Sequence, residues 1–102
     1  MNPKISSWKN KRVWIIGASS GIGAELALQL LALGARVALS ARNQSALTQL
    51  AQPFDTAVVL PLDVTKADQV QTASDQLQQE WQGIDLVCVV AGVYNEMRAD
   101  SF

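Results

Sequence analysis

Val13-Trp14-Ile15-Ile16-Gly17-Ala18-Ser19-Ser20-Gly21-Ile22-Gly23 carries an apolar stretch into a glycine-rich turn, and a helical pattern runs on from Ala24 to Leu33. A strand that meets a helix through such a turn is suited to hold phosphate. Glycine lets the backbone turn sharply and lie close to a ligand. The helix N-terminus adds N–H groups without intrahelical acceptors and a partial positive charge. The turn alone would be weak evidence, but the strand before it and the helix after it are both readable.

Outward from this turn, strand and helix patterns alternate. Arg12 to Gly17 reads as a first strand, apolar from Val13 to Ile16 as parallel strands buried on both faces are. The first helix starts near Gly21 and stops at Gly34, with Ala24, Ala27, Leu30 and Leu31 at helical spacing. Arg36 to Ala41 is the second strand. A helix follows from about Gln44 to Ala51, capped by Asn43 and stopped by Pro53. Thr56 to Leu62 reads as the third strand. The third helix covers Lys66 to Gln82, with Ala67, Val70, Ala73, Leu77 and Trp81 on one face and polar residues opposite. Gly83 ends it, and Ile84 to Ala91 is the fourth strand. Repeated strand–helix–strand units with right-handed crossovers predict an α/β fold: a doubly wound parallel sheet of about four strands, order 3-2-1-4, with three helices. The ligand crevice of such a sheet lies at the carboxyl ends of the strands, where the Gly17–Gly23 turn falls.

Composition excludes several function classes. The 102 residues carry eight Lys or Arg, nine Asp or Glu, and no His. That near-neutral balance gives no footprint for nucleic acid or an anionic membrane. Cys88 is the only cysteine, so an internal disulfide is impossible, and it reads as a buried structural thiol. A transition-metal site would have almost no ligands to use. No apolar run approaches the roughly 20 residues of a membrane span, and the start lacks a signal-peptide core. The expected location is the cytoplasm. Residues 1–10 read as a loose lead-in to a single dinucleotide-binding domain.

The order glycine, three residues, glycine, one residue, glycine resembles the short-chain dehydrogenase/reductase family, whose usual form is Thr-Gly-x-x-x-Gly-Ile-Gly. Ile16 stands where the family has threonine. The resemblance runs from about Lys11 to Tyr94. It implies a Rossmann-like fold, with Gly17, Ser19, Ser20, Gly21, Ile22 and Gly23 around a nucleotide cofactor. At the end of strand two, Ala41 occupies the position where NAD-type members carry an acid, and Arg42 follows at once. A guanidinium fork suits a 2′-phosphate, so NADP(H) is favoured over NAD(H). Ser20 is uncharged, so the second basic residue of some NADP-type relatives is missing. Asp63-Val64 matches a short acidic motif in which the Asp receives the adenine amino group. The same Asp63 could instead cap the following turn, and both roles stay open. Val89-Val90-Ala91-Gly92 matches the family's Asn-Asn-Ala-Gly, with both asparagines replaced. Ala91 and Gly92 would let the backbone lie beside the nicotinamide ribose.

The family's catalytic Tyr-x-x-x-Lys lies beyond this stretch of resemblance. Tyr94 is followed four residues later by Arg98, so the resemblance implies no catalytic role for any residue of this chain. The leading reading is the cofactor-binding half of an NADP(H)-dependent oxidoreductase acting on a carbonyl or alcohol, the chain being truncated and inactive by itself. The alternative is a non-enzymatic nucleotide-binding or self-association module; a domain for adenosylmethionine fits the glycine spacing less well. Strand four is expected to form an uncovered edge, and self-association is expected through that edge or through the exposed sheet faces beside it.

Overall fold

The expected strands and helices form in the expected order, in a computed structural model that describes residues 7–18 and 21–90. They are β1 (Arg12–Ile16), α1 (Gly21–Ala32), β2 (Arg36–Ser40), α2 (Gln44–Ala51), β3 (Ala57–Val59), α3 (Ala67–Trp81) and β4 (Leu86–Val89). The four strands make one sheet in the order β3-β2-β1-β4, and all three pairings are parallel. The register sets Ile16 beside Ser40 on one side and Val89 on the other. Among the described residues, no helix is long and apolar enough to cross a membrane.

Alternation along the central strands divides the core in two. Val13, Ile15, Val37 and Leu39 join Ala27, Leu30 and Leu31 of α1 and Leu47 of α2 on one face. Trp14, Ile16 and Ala38 join Leu60, Leu62 and the α3 residues Ala73, Leu77 and Trp81 on the other. Fully burying such a side chain contributes roughly 1.5–3 kcal/mol. β1 feeds both cores, which is why its apolar run is unbroken. α1 closes where Gly34 takes a left-handed φ of +91°. The Gly34 N–H donates to the Leu31 carbonyl at 3.0 Å and the Ala35 N–H to the Leu30 carbonyl at 3.1 Å, satisfying two of the helix's last acceptors.

Four local expectations change. β3 is three residues long instead of running from Thr56 to Leu62, the regular strand ending short of Pro61, which an edge strand tolerates where its nitrogen faces away from the neighbour. Leu60 and Leu62 on either side still donate to the Leu39 and Ala41 carbonyls, so the extended path continues to Asp63. Ala67 is exposed, since it opens the first turn of α3 before the helix settles on the sheet. The left-handed residue that ends α3 is Gln82, one position before the glycine. Cys88 is half-buried, because β4 has no strand on its outer side among the described residues. Burial still pushes its thiol up.

At the amino-terminal end of the sheet, Arg12 joins β1 to the α3–β4 connection. Its Nε and Nη2 donate to the two Asp85 oxygens at 3.0 and 3.1 Å, and Nη1 donates to the Trp81 carbonyl at 3.1 Å. The Arg12 backbone N–H also reaches Asp85 Oδ2, at 2.8 Å. The hydrogen bonds from the Arg12 side chain, and then from its N–H, hold the Asp85 carboxyl down at about 2.

Candidate functional site

The opposite end of the sheet gathers the segments singled out in the sequence. Ile16 leads into the glycine turn, Ser40 into Ala41-Arg42, and the extended path after β3 into Asp63-Val64. Ser19, Ser20, Ala91 and Gly92 lie outside the described residues.

The three glycines of the turn are needed for different reasons. A Cβ on Gly17 would stand 2.3 Å from the Val90 carbonyl oxygen, so this glycine admits the end of β4, and its φ is +96°. Val90 is drawn in by donating to the Ile16 carbonyl at 2.8 Å. A Cβ on Gly23 would stand 2.1 Å from the Gly17 carbonyl oxygen. That glycine lets the first turn of α1 settle against the loop. Gly21 differs from both: its φ is +61°, yet a Cβ there would meet nothing within 4 Å. It begins the twelve-residue α1, whose first N–H groups have no intrahelical acceptor. The space in front of it adjoins the positive end of a helix dipole, a setting that stabilises an anion. Ile22 beside it is 76% exposed.

The turn is tied to β2 through one carbonyl. Ser40 O accepts from the Gly17 N–H at 2.7 Å and the Ala18 N–H at 3.1 Å. One residue on, Ala41 O accepts the Leu62 N–H at 3.0 Å, which brings the approaches to Arg42 and Asp63 side by side. Arg42 is exposed, and the next residue, Asn43, caps α2 by accepting the Ala46 N–H at 3.1 Å. The cap pins the chain immediately after the guanidinium.

Asp63 is a turn former in this structure. Its Oδ1 accepts the Thr65 hydroxyl at 2.6 Å and the Thr65 N–H at 3.0 Å, and its own N–H donates to Gln69 Oε1 at 2.8 Å. No partner of Oδ2 occurs among the described residues. The Thr65 hydrogen bonds, with smaller help from the charges of Arg42 and Lys66, hold the Asp63 carboxyl below the usual carboxylate range. Val64 is 52% exposed at the rim.

Two features of this end were not singled out from the sequence. Lys66 brings a second cation to the Arg42–Asp63 corner, from a turn whose path no local pattern reveals. Ser40 is the only buried polar side chain among the described residues, and its hydroxyl accepts the Trp14 indole N–H at 2.8 Å. A tryptophan in a doubly buried strand, whose N–H needs a partner, was the available signal.

Comparison with known proteins matches this geometry. The short chain dehydrogenase family model matches residues 11–102. A dehydrogenase/reductase SDR family protein 7-like of Dictyostelium discoideum is 38% identical over 93 residues, covering 82% of this chain and 29% of that protein. An uncharacterized oxidoreductase of Staphylococcus aureus is 42% identical over 82 residues, covering 76% and 35%. Among solved structures, a short-chain type dehydrogenase/reductase from Mycobacterium marinum has a TM-score of 0.78 at 35% identity, over 93% of this chain and 42% of that one. A 3-ketoacyl-(acyl-carrier-protein) reductase from Brucella melitensis, solved with NADH, has a TM-score of 0.75 at 26% identity, over 79% and 34%. The chain spans about a third of the length of the curated relatives it matches.

Proposed function

The chain belongs to the short chain dehydrogenase family, and on that premise we propose that it holds the nucleotide of an NADP(H)-preferring oxidoreductase. The observation that carries this reading is the open space before Gly21, where a left-handed glycine starts a helix and, among the described residues, a Cβ would meet no atom within 4 Å outside its own helix turn. A diphosphate fits that space: its charge meets the N–H groups of the first turn of α1, and the bare glycine allows close approach. The residues present therefore suit a dinucleotide.

When bound, such a cofactor supplies hydride transfer to or from a carbonyl or alcohol carbon. The protein's part is to bind and orient it. The turn of Gly17, Ser19, Ser20, Gly21, Ile22 and Gly23 holds the diphosphate. Arg42 presents its fork to a ribose 2′-phosphate, and uncharged Ala41 leaves that phosphate unopposed. Lys66 adds a second positive charge near the same corner. Asp63, through Oδ2, accepts from the adenine amino group while Oδ1 stays with Thr65, and Val64 lines the rim. Ala91 and Gly92 give the backbone access to the nicotinamide ribose. None of the described residues is assigned the proton transfer.

The reading includes self-association. Among the described residues β4 is an outer strand of the sheet, and Leu86, Val87 and Val89 are exposed on it. It carries no charged residue to deter edge pairing. A second copy that covers β4 gains roughly 25 cal/mol per Å² of apolar surface removed from water.

Calorimetric titration of the wild type and Arg42→Ala with NADPH and NADH tests the cofactor assignment. Loss of the guanidinium should weaken NADPH by about 1–3 kcal/mol and leave NADH nearly unchanged. Equal losses for both would refute the 2′-phosphate assignment.

A further inference from the structure

Trp14 and Ser40 form a polar pair inside a sheet that is otherwise apolar at its centre. Trp14 is 3% exposed and Ser40 0%, and the indole N–H donates to the hydroxyl at 2.8 Å. Packing alone does not demand the pair. Two apolar side chains of similar shape would fill the space without exposing either strand to the cost of an unpaired buried donor or acceptor. What distinguishes Ser40 is its backbone. The same residue whose hydroxyl is fixed by Trp14 offers the carbonyl that takes both the Gly17 and the Ala18 N–H. Ser40 also stands in register with Ile16, the last residue before the turn.

From this convergence we infer that Trp14 and Ser40 are positioning residues for the glycine turn. Anchored in the core beside Leu77 and Trp81, the indole fixes the side chain of Ser40. That fixes the plane of the Ser40 carbonyl, and the carbonyl holds the first two amides of the loop. The amides at the start of α1 are thereby set at a constant height above the end of β2. The consequence for ligand affinity rests on the dinucleotide reading; the anchoring of the loop does not.

Three variants separate positioning from simple stability: Trp14→Phe, Ser40→Ala, and the two combined. Each single change leaves one buried group without its partner and should lower the melting temperature. The double change removes both partners together and should recover the part of the loss due to the unpaired groups, keeping only the cost of the smaller phenyl ring. A merely structural pair would then show wild-type amide exchange and cofactor affinity. A positioning pair would not. In the double variant, the Gly17 and Ala18 amides should exchange with solvent about tenfold faster than in the wild type, without ligand. NADPH and NADH should both bind about tenfold more weakly, by the same factor, because both use the turn. Wild-type exchange at those two amides in the stable double variant would overturn the proposal, and so would wild-type affinity for both cofactors. If the wild type binds neither cofactor, the dinucleotide reading fails, and the exchange rates alone decide whether the pair positions the turn.

Discussion

Alanine at Gly23 would place a methyl carbon 2.1 Å from the Gly17 carbonyl oxygen and 3.0 Å from the carbon behind it. Ordinary contact begins near 3.4 Å, so the loop or the helix must withdraw by about 1.3 Å. The loop cannot move freely, because the Gly17 and Ala18 amides are held by Ser40. Overpacking against backbone of this kind costs up to about 3 kcal/mol, while alanine in a helix returns about 1 kcal/mol. The net loss of about 2 kcal/mol corresponds to a fall in melting temperature of roughly 10 °C for a domain of this size. Gly21→Ala behaves differently. Among the described residues its methyl group meets no atom within 4 Å outside its own helix turn, so the left-handed backbone is what resists it, at about 1–2 kcal/mol. Reduced freedom of the unfolded chain offsets about half of that. Gly21→Ala should therefore melt within about 5 °C of the wild type. Its methyl group nonetheless stands where the diphosphate must lie. We expect NADPH affinity to fall at least about tenfold, or about 1.4 kcal/mol, in a variant that is still folded. Thermal melts followed by circular dichroism, paired with calorimetric titration, read both effects. A Gly23→Ala protein that melts with the wild type would refute the packing argument. A folded Gly21→Ala protein with wild-type affinity would show that the phosphate lies elsewhere.

The Arg12–Asp85 pair makes stability depend on acid. Its carboxyl titrates at about 2 when folded, against about 3.9 in an unfolded chain. The stabilisation is complete above that unfolded value and disappears as pH falls from about 4 to about 2. Urea melts should show Asp85→Asn less stable than the wild type at pH 6, with the gap closing by pH 2; a gap independent of pH would refute the assignment. Val89, 59% exposed on β4, is the place to test self-association. Val89→Lys should shift sedimentation towards monomer at tens of micromolar with little change in melting temperature, and an unaltered dimer or a monomeric wild type would contradict the proposed edge pairing.

Much of this fold is written locally. The Gly34 stop, the Asn43 cap and the apolar runs of β1 and β2 each depend on a few neighbouring residues, and each forms where the pattern places it. Alternation and right-handed crossovers indicate a doubly wound sheet, and the glycine-turn resemblance selects the 3-2-1-4 order among those they allow. Departures arise where a local signal meets a non-local one. The apolar run through Leu62 reads as one strand, and its hydrogen bonds to β2 continue through Leu60 and Leu62, but the regular strand stops at Val59, short of Pro61. The α3 pattern includes Ala67, but the chain enters from the Asp63–Lys66 turn before the helix reaches the sheet. At the site, the glycine spacing and Arg42 are visible in sequence, whereas the separate tasks of Gly17, Gly21 and Gly23 emerge only from what each would touch. Ser40 passed unnoticed because a lone serine at a strand end is unremarkable until its partners, 26 residues away in Trp14 and nearby in the loop, are known. The Arg12–Asp85 link spans 73 residues and has no local trace.

Mapping NADPH onto the backbone amides by nuclear magnetic resonance tests the central claim most directly. The account predicts saturable shifts at Gly17, Ala18 and Gly21 to Ala24, with a second group at Arg42 and Asp63 that is weaker with NADH. Shifts confined to Lys9, Lys11 and Arg36 at the other end of the sheet, or no shifts at millimolar NADPH in the folded protein, would contradict it.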